Sequence, residues 1–167
     1  MMIKNITNLI LVSLFLSGLI GNAEVVAGGP KVPSFELVSL DGKRITQEDM
    51  IGKVTLVIFW ASWCGTCQHE LPKVHRLQEK MAGSPFQVIA IGFRDSEANI
   101  RGYARSHPNI FSFPVFFDKK DRVAAVFGAS VTPTLFLFDK QGELAVRYRG
   151  GGMFSHPKFK ETLEALL

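Results

Sequence analysis

Short apolar runs alternate with longer amphipathic stretches along this chain. The runs KVTLVIFW (53–60) and FQVIAIGF (86–93) are almost continuously apolar and rich in β-branched residues, which is typical of buried strands. Between them, residues 65–81 place apolar side chains at helical spacing. The first half of the chain therefore predicts a strand, a helix and a second strand, both strands lying in the core.

The rest of the chain continues this alternation. The pattern predicts a strand in SFELVSL (34–40), a helix over 96–107, a strand in FPVFFD (113–118), a short helix in RVAAVFG (122–128), a hairpin of TLFLFD (134–139) and ELAVRYR (143–149), and a terminal helix over 156–167. Strands alternating with helices and followed by a hairpin indicate an α/β sandwich with a central mixed β-sheet flanked by helices. No repeat suggests a second domain, so one domain is expected over 28–167.

The N-terminal segment, residues 1–27, differs in composition from this domain. Lys4 and Glu24 are its only charged residues, and the apolar run LILVSLFLSGLI lies between them. This layout predicts a secretory signal peptide, cleaved after Ala23 or Ala27. An uncleaved membrane anchor is the alternative, because the apolar stretch approaches the ~20 residues that span a bilayer; a buried structural helix is a third. Either of the first two readings places the domain in a periplasmic or other extracytoplasmic compartment, secreted or membrane-anchored.

The charge of the chain argues against nucleic acid as a partner. The net charge is +4, and removal of residues 1–23 leaves 18 basic and 15 acidic residues with no concentrated basic patch along the sequence. Arg147 and Arg149 alternate along a predicted strand and are expected on its solvent face.

The two cysteines, Cys64 and Cys67, lie in FWASWCGTCQHELP, where a buried strand gives way to a helix. A structural bridge, a metal clamp and a redox centre are the possible roles. A bridge closing so short a loop constrains the unfolded chain little, and a chain of 167 residues has a core without it. A helix N-terminus stabilises a thiolate, so Cys64 is the candidate nucleophile. Cys67, in the first turn, is placed to attack a mixed disulfide formed on Cys64.

The histidines offer no metal site with these cysteines. The four histidines share no ligand spacing with the CxxC pair: His69, His75, His107 and His156. No metal is therefore expected. A copper-binding or copper-delivery chaperone is kept as an alternative function, although such a role favours CxxxC with a distal histidine.

The motifs around the cysteines resemble the thioredoxin superfamily. WCGTC after an apolar strand, Pro72 within the following helix and VTPT before the late hairpin are similar to its common pattern. The longer pattern CxxCxxELP…FPVxxD…VFGxxxTPTLFLFDKQGE, over residues 33–167, resembles the exported TlpA/ResA-like thiol–disulfide oxidoreductases. The resemblance implies a thioredoxin-like sandwich, a redox-active Cys64–Cys67 disulfide and no other cofactor.

The same resemblance implies the substrate contacts. It gives a cis peptide bond before Pro133, against the CxxC pair. A proline lacking an N–H group there leaves the Thr132 backbone free to pair with an extended substrate. Trp63 is expected to be partly exposed beside Cys64, whereas Trp60 is expected in the core.

The resemblance also implies partners and a pathway. The expected partners are proteins with disulfides or thiols and a membrane thiol protein that donates electrons. The expected pathway is cytochrome c biogenesis or copper-enzyme maturation. The direction of electron flow stays open between a reductase and a disulfide-forming oxidase, because the Gly65-Thr66 dipeptide tunes the reduction potential without revealing its value.

Glu70 is the third candidate catalytic residue. A helical wheel places it alone among charged residues on the apolar face that Cys67 shares, one turn further along. The strand residue that carries a buried Asp in cytosolic thioredoxins is Ile58 here, and the TlpA/ResA-like branch has a Glu at the position of Glu70. A carboxylate on that face suits proton exchange with the Cys67 thiol. The alternative is a carboxylate that turns to solvent, because acids are favoured near helix N-termini anyway.

Overall fold

A computed structural model describes residues 23–25 and 28–167 of the chain. The predicted signal peptide or membrane anchor falls outside these residues except at 23–25. The strands are β1 (Ala23–Val25), β2 (Glu36–Val38), β3 (Arg44–Thr46), β4 (Val54–Trp60), β5 (Phe86–Gly92), β6 (Val115–Phe117), β7 (Thr134–Phe138) and β8 (Leu144–Arg149), and the α-helices are α1 (Gly65–Lys80), α2 (Glu97–Ser106), α3 (Arg122–Phe127) and α4 (Pro157–Leu166). No helix among the described residues is both long and apolar enough to cross a membrane.

The central sheet is mixed, as the sequence predicts. Its order is β1-β8-β7-β4-β5-β6, with β4, β5 and β6 parallel and the pairs β4–β7, β7–β8 and β8–β1 antiparallel. The strands β2 and β3 form a separate hairpin, which a bridge between Ser39 and Phe116 joins to β6. The carboxyl ends of the three parallel strands therefore meet at one edge of the sheet.

Two apolar layers cover the sheet. On one face, Ile58 and Trp60 of β4 belong to a cluster with Leu71 of α1, Ile100 of α2 and Phe159 of α4. The other face packs against α3 and the β2–β3 hairpin, through a cluster that includes Phe59, Phe127 and Ile45. All seven residues of β4 are buried, because the strand is paired on both sides and covered on both faces. The architecture is the α/β sandwich that the sequence predicts.

The predicted elements are all present; the structure adds the strands β1 and β3, which the sequence did not predict, and the other differences lie at the ends of elements. The first predicted strand reduces to β2, because the chain turns at residues 39–42 and returns as β3. The terminal helix begins at Pro157, in the first-turn position that proline favours, with His156 as its N-cap. Helix α1 continues through Pro72, and α3 ends at Gly128, whose φ of 68° is left-handed.

Close packing of α2 on the sheet depends on the absence of a side chain at Gly92. A Cβ atom added there would lie 2.6 to 2.9 Å from three side-chain atoms of the fully buried Ile100. We expect Gly92→Ala to lower the free energy of unfolding by roughly 1–3 kcal/mol, because an overpacked core forces neighbouring side chains to shift.

Gly102→Ala is the matched control within α2. An added Cβ there meets no atom within 4 Å, so the substitution is expected to stabilise the helix by up to about 1 kcal/mol. Denaturant unfolding of both variants measures the difference. A Gly92→Ala protein as stable as Gly102→Ala would contradict the packing argument.

Candidate active site

The two cysteines form a disulfide at the carboxyl end of β4, where α1 begins. Cys64 is the N-cap residue of α1, and its Sγ accepts a hydrogen bond of 3.1 Å from the backbone N–H of Cys67. Cys64 retains 6% of its surface, whereas Cys67 retains none. Both cysteines are buried, and Cys64 is the one that keeps some exposed surface.

The two sulfurs lie in different environments. The N-terminus of the 16-residue helix α1 presents unpaired N–H groups and a positive dipole end at Cys64, an environment that favours a thiolate over a thiol. Cys67, one helical turn further, is covered and is bonded to Cys64.

Pro133 lies at the edge of the sheet where β4 ends and the loop to Cys64 begins. The Thr132–Pro133 peptide bond is cis, as the resemblance implies. Thr134, the first residue of β7, pairs with Phe59 of β4, so Pro133 sits at the level where β4 ends. The Pro133 carbonyl accepts a hydrogen bond of 2.8 Å from the Gly150 N–H. Within residues 28–167, the Thr132 backbone has no hydrogen-bond partner.

The two tryptophans occupy the environments that the sequence predicts. Trp63 is 61% exposed, and its indole Nε1 donates a hydrogen bond of 3.0 Å to the backbone carbonyl of Arg94. Trp60 is fully buried and packs against the rings of Tyr103 and Phe111. The loop after β5 therefore holds the exposed indole next to Cys64.

A side chain that the sequence reading did not single out, Asp95, fixes the loop before Cys64. Its Oδ2 accepts hydrogen bonds from the Ser62 N–H at 2.8 Å and the Ser62 hydroxyl at 2.6 Å. Its Oδ1 accepts from the Ser96 N–H and the Asn99 side-chain amide. The Ser62 carbonyl in turn accepts from the Gln68 side chain at 2.8 Å. Every polar atom of Ser62 is thus bound, and its position relative to Cys64 is set.

The same contacts keep Asp95 ionised. Burial of the Asp95 carboxylate favours its neutral form, but the hydrogen bonds from Ser62, Asn99 and Ser96 outweigh this, so the pKa of Asp95 lies below its usual range. The carboxyl ends of parallel strands lie at one edge of the sheet. The position of Asp95 just after β5 was therefore the sequence signal that it lies near the loop that follows β4. That signal does not reveal which loop residue the carboxylate binds.

Glu70 is buried on the apolar face of α1, as the wheel predicts, with 3% of its surface exposed. Its Oε1 accepts from Lys73 Nζ at 2.8 Å and from the Gly152 N–H at 3.2 Å. Its Oε2 is buried and has no hydrogen-bond partner among the described residues. The carboxylate does not turn to solvent; Lys73, which the wheel assigned to the solvent side, reaches back to it. The Glu-x-x-Lys spacing was the sequence signal for that pair.

A glycine loop, residues 150–152, closes over the first turn of α1. A Cβ atom added to Gly151 would lie 2.6 Å from Cγ2 of Thr66 and 3.7 Å from Oε1 of Glu70. The loop thus approaches Thr66, one of the two residues between the cysteines, so closely that a side chain at position 151 would clash with it. The sequence shows three consecutive glycines after β8 but not the helix that they contact.

The described residues contain no group of three or more His, Cys, Asp or Glu side chains placed to hold a metal ion. His75 instead shares a hydrogen bond of 2.9 Å with the Ser112 hydroxyl, and His107 stacks on Tyr103. The redox-active group of the site is the Cys64–Cys67 disulfide itself.

The hydrogen bonds that the Asp95 carboxylate accepts lead to a prediction about pH. Asp95→Asn replaces one accepting oxygen with an NH₂ group, which then faces N–H or O–H groups that have lost their acceptor. We therefore expect the free energy of unfolding at neutral pH to fall by roughly 1–3 kcal/mol. The folded-state pKa of Asp95 lies below the unfolded value of about 3.9, so its contribution is complete above about pH 4 and is lost as the pH falls through the folded value. The stability gap between wild type and variant should close over that acidic range.

Denaturant unfolding at a series of pH values measures this gap. Glu161→Gln, at an exposed position of α4, removes one negative charge away from the site and serves as the control. If Asp95→Asn were as stable as wild type at neutral pH, the hydrogen bonds of the Asp95 carboxylate would make no contribution to stability.

Comparison with known proteins agrees with this geometry. Residues 29–147 match the model of the AhpC/TSA family. The thiol-disulfide oxidoreductase ResA of Bacillus thuringiensis is 28% identical over 167 residues, covering 95% of this chain and 92% of ResA. The thioredoxin-like protein YneN of Bacillus subtilis is 32% identical over 117 residues, covering 68% of this chain and 66% of YneN.

A solved structure shows the same likeness. A Chlorobium tepidum protein assigned as a thiol:disulfide interchange protein DsbE superimposes with a TM-score of 0.76 at 28% identity, covering 84% of this chain and 98% of that one. The thioredoxin-like fold expected from the motifs is confirmed. The chain belongs to the AhpC/TSA family and is a thiol–disulfide oxidoreductase.

Proposed function

We propose that this oxidoreductase works as a reductant of protein disulfides outside the cytoplasm. The observation that carries the exchange chemistry is the asymmetric cysteine pair, in which Cys64, the N-cap of α1, keeps 6% of its surface and Cys67 is fully buried behind it; the reductive direction rests on the resemblance. Such a pair passes two electrons to a substrate and protects the second thiol from reacting with solvent oxidants.

The reaction has two exchange steps. The Cys64 thiolate attacks one sulfur of the substrate disulfide, so a mixed disulfide forms and the other substrate sulfur leaves as a thiolate, which takes up a proton. The Cys67 thiolate then attacks Cys64 Sγ. The Cys64–Cys67 disulfide forms, and the second substrate sulfur leaves as a thiolate, which takes up a proton from solvent. The substrate gains two electrons from the cysteine pair and two protons, and the pair becomes the disulfide.

Glu70 is proposed to take the proton that Cys67 loses. Because Cys67 is completely buried, its proton has no direct path to solvent, and Glu70 is the charged residue of the buried face one turn along α1. Its Oε1 is occupied by Lys73 and Gly152, whereas the buried Oε2 has no partner among the described residues. A buried carboxylate oxygen without a partner among the described residues is available to accept a proton.

The substrate chain is proposed to lie along Trp63, Thr132 and Pro133. The exposed indole of Trp63 offers apolar contact next to Cys64. The Thr132 backbone, without a partner in the described part of the chain, is available to pair with an extended segment.

The cellular role rests on the resemblance. We propose export by residues 1–27, as a signal peptide or membrane anchor ahead of a domain over 28–167, recharging by a membrane thiol protein, and a role in cytochrome c or copper-enzyme maturation. A deletion strain with normal levels of both c-type cytochromes and copper enzymes would exclude that pathway.

The reduction potential separates the two directions of electron flow. Equilibration with glutathione should give a value near the roughly −270 mV of thioredoxin rather than the roughly −120 mV of the oxidase DsbA. A value at the DsbA end would overturn the reductive direction and leave the exchange chemistry intact.

The assigned roles of the two cysteines predict a trapped intermediate. Cys67→Ala should accumulate a mixed disulfide between Cys64 and substrate, because the attacking thiolate has formed its bond and the resolving thiol is gone. Non-reducing gels and mass spectrometry of the adduct identify the linked cysteine. Adducts through Cys67 in a Cys64→Ala variant would reverse the assignment.

Glu70→Gln tests the proton acceptor. The amide keeps the shape of the side chain and an oxygen for Gly152 but removes the titrating group. We expect a near-unchanged melting temperature in the oxidised form, a changed pH profile of Cys67 alkylation in the reduced form, and resolution of the mixed disulfide slowed by up to about 10²-fold.

Glu79→Gln, on the exposed side of the same helix, is the matched control and should leave both readouts unchanged. A Glu70→Gln protein with wild-type alkylation and resolution profiles would show that the carboxylate is only structural.

A further inference from the structure

The peptide group that joins Gly151 to Gly152 lies between two polar side chains. Its carbonyl, that of Gly151, accepts a hydrogen bond of 3.2 Å from the Tyr148 hydroxyl. Its N–H, that of Gly152, donates a hydrogen bond of 3.2 Å to Oε1 of Glu70. One peptide group therefore connects the Tyr148 hydroxyl to the carboxylate that is proposed to take the Cys67 proton.

The glycine loop depends on its neighbours for its position, whereas Tyr148 does not. None of the three glycines has a side chain to pack, and Gly150 and Gly152 have φ angles of 87° and 96°, in the region that glycine adopts most readily. The Tyr148 ring is 6% exposed and belongs to the apolar cluster under α1, and its backbone pairs with Leu135 of β7. The Tyr148 hydroxyl is thus a fixed donor beside a loop of high intrinsic freedom.

The Gly152 N–H also decides how the Glu70 carboxylate is oriented. Lys73 and Gly152 bind Oε1, and Oε2 is left buried without a partner among the described residues. Without the Gly152 contact, Oε1 would be bound by Lys73 alone, whose side chain is 36% exposed. Hydrogen bonds at the two ends of one peptide group reinforce each other, because a carbonyl that accepts makes the N–H of the same group a better donor.

We infer that Tyr148 is a positioning residue for the second exchange step: its hydroxyl holds the Gly151–Gly152 peptide, which holds the Glu70 carboxylate ready for the Cys67 proton. In that step the Cys67 proton passes to Glu70, the Cys67 thiolate attacks Cys64 Sγ, and the substrate sulfur leaves as a thiolate. Tyr148 exchanges no proton and touches no reacting atom. The inference rests on the proposed function of Glu70 and adds to it a residue of β8.

Two further titratable side chains lie around this contact. Lys73 of α1 binds Glu70 directly, and the ring of His156, the residue before α4, packs against the Tyr148 ring with centroids 6.0 Å apart. The Nδ1 atom of His156 is buried and has no hydrogen-bond partner in the described part of the chain. Tyr148→Phe keeps both of these side chains and the aromatic ring, so it removes the hydroxyl alone.

The test separates the two exchange steps in a single turnover. The reduced protein is mixed with an equimolar fluorescent peptide whose single cysteine carries a thiopyridyl group. The Cys64 thiolate attacks the peptide sulfur, and pyridine-2-thione leaves and is measured by absorbance. Cys67 then attacks Cys64 Sγ, and the peptide leaves as a thiolate that takes up a proton from solvent; its release is measured as a fall in fluorescence anisotropy.

We expect Tyr148→Phe to form the mixed disulfide at the wild-type rate and to release the peptide about two- to tenfold more slowly, the factor that corresponds to one lost hydrogen bond. Over a series of pH values, the release profile should shift towards that of Glu70→Gln. In a Glu70→Gln background, Tyr148→Phe should cause no further slowing, because both changes act through the same carboxylate.

Tyr103→Phe removes the hydroxyl of the other tyrosine in the chain and is the matched control. Its ring packs on Trp60, and both steps should keep their wild-type rates. The melting temperature of each oxidised variant verifies that it is folded.

Three results would overturn the positioning role while leaving that of Glu70 intact. They are wild-type peptide release in Tyr148→Phe, equal slowing of both steps, and the same slowing by Tyr148→Phe with and without Glu70→Gln. Wild-type release in Glu70→Gln would instead overturn the proposed proton acceptor, and the positioning role with it.

Discussion

The redox end of this protein depends on the burial of strand β4. Its neighbours β5 and β7 occupy both of its hydrogen-bonding edges, and apolar clusters cover both of its faces. Because such a strand has no freedom to shift register, the point where it stops, at Trp60, is fixed within the molecule. The disulfide begins four residues later, and the loop between is tied to its surroundings by Asp95, Gln68 and Arg94.

A rigid strand thus supports a helix whose first turn carries the chemistry. Cys64 is both the cap of α1 and one half of the disulfide, so the N–H groups that a cap satisfies are also the ones that lie at its sulfur. The buried carboxylate of Glu70 lies on the inner face of that helix, where Lys73 and Gly152 bind one of its oxygens. The stability of the helix end and the reactivity of the sulfur pair therefore share one set of contacts.

Local patterns were sufficient to predict most of the fold. The apolar runs of β4 and β5, the periodicity of α1 and the turn at Gly142 each depend on residues close in sequence, and the structure places them as expected. The placement of the candidate site residues was predictable as far as it depends on one helix: Cys64 at its start, Cys67 in its first turn and Glu70 on its inner face. The bond between Asp95 and Ser62 spans 33 residues, and that between Gly152 and Glu70 spans 82. Periodicity carries no information on such pairs.

The contact between Gly151 and Thr66 limits how the active-site dipeptide varies. With Cγ2 of Thr66 only 2.6 Å from where a Cβ of residue 151 would stand, the two positions share one small volume. A side chain larger than Thr at position 66, in the same orientation, meets the glycine loop, which also carries the N–H bound to Glu70, whereas a Cβ at position 65 would meet nothing within 4 Å. Exchanging the dipeptide for that of another oxidoreductase would thus alter the packing of residues far away in sequence. A change in potential measured on such a chimera would combine the intrinsic effect of the new dipeptide with a shift in the surroundings of the buried carboxylate.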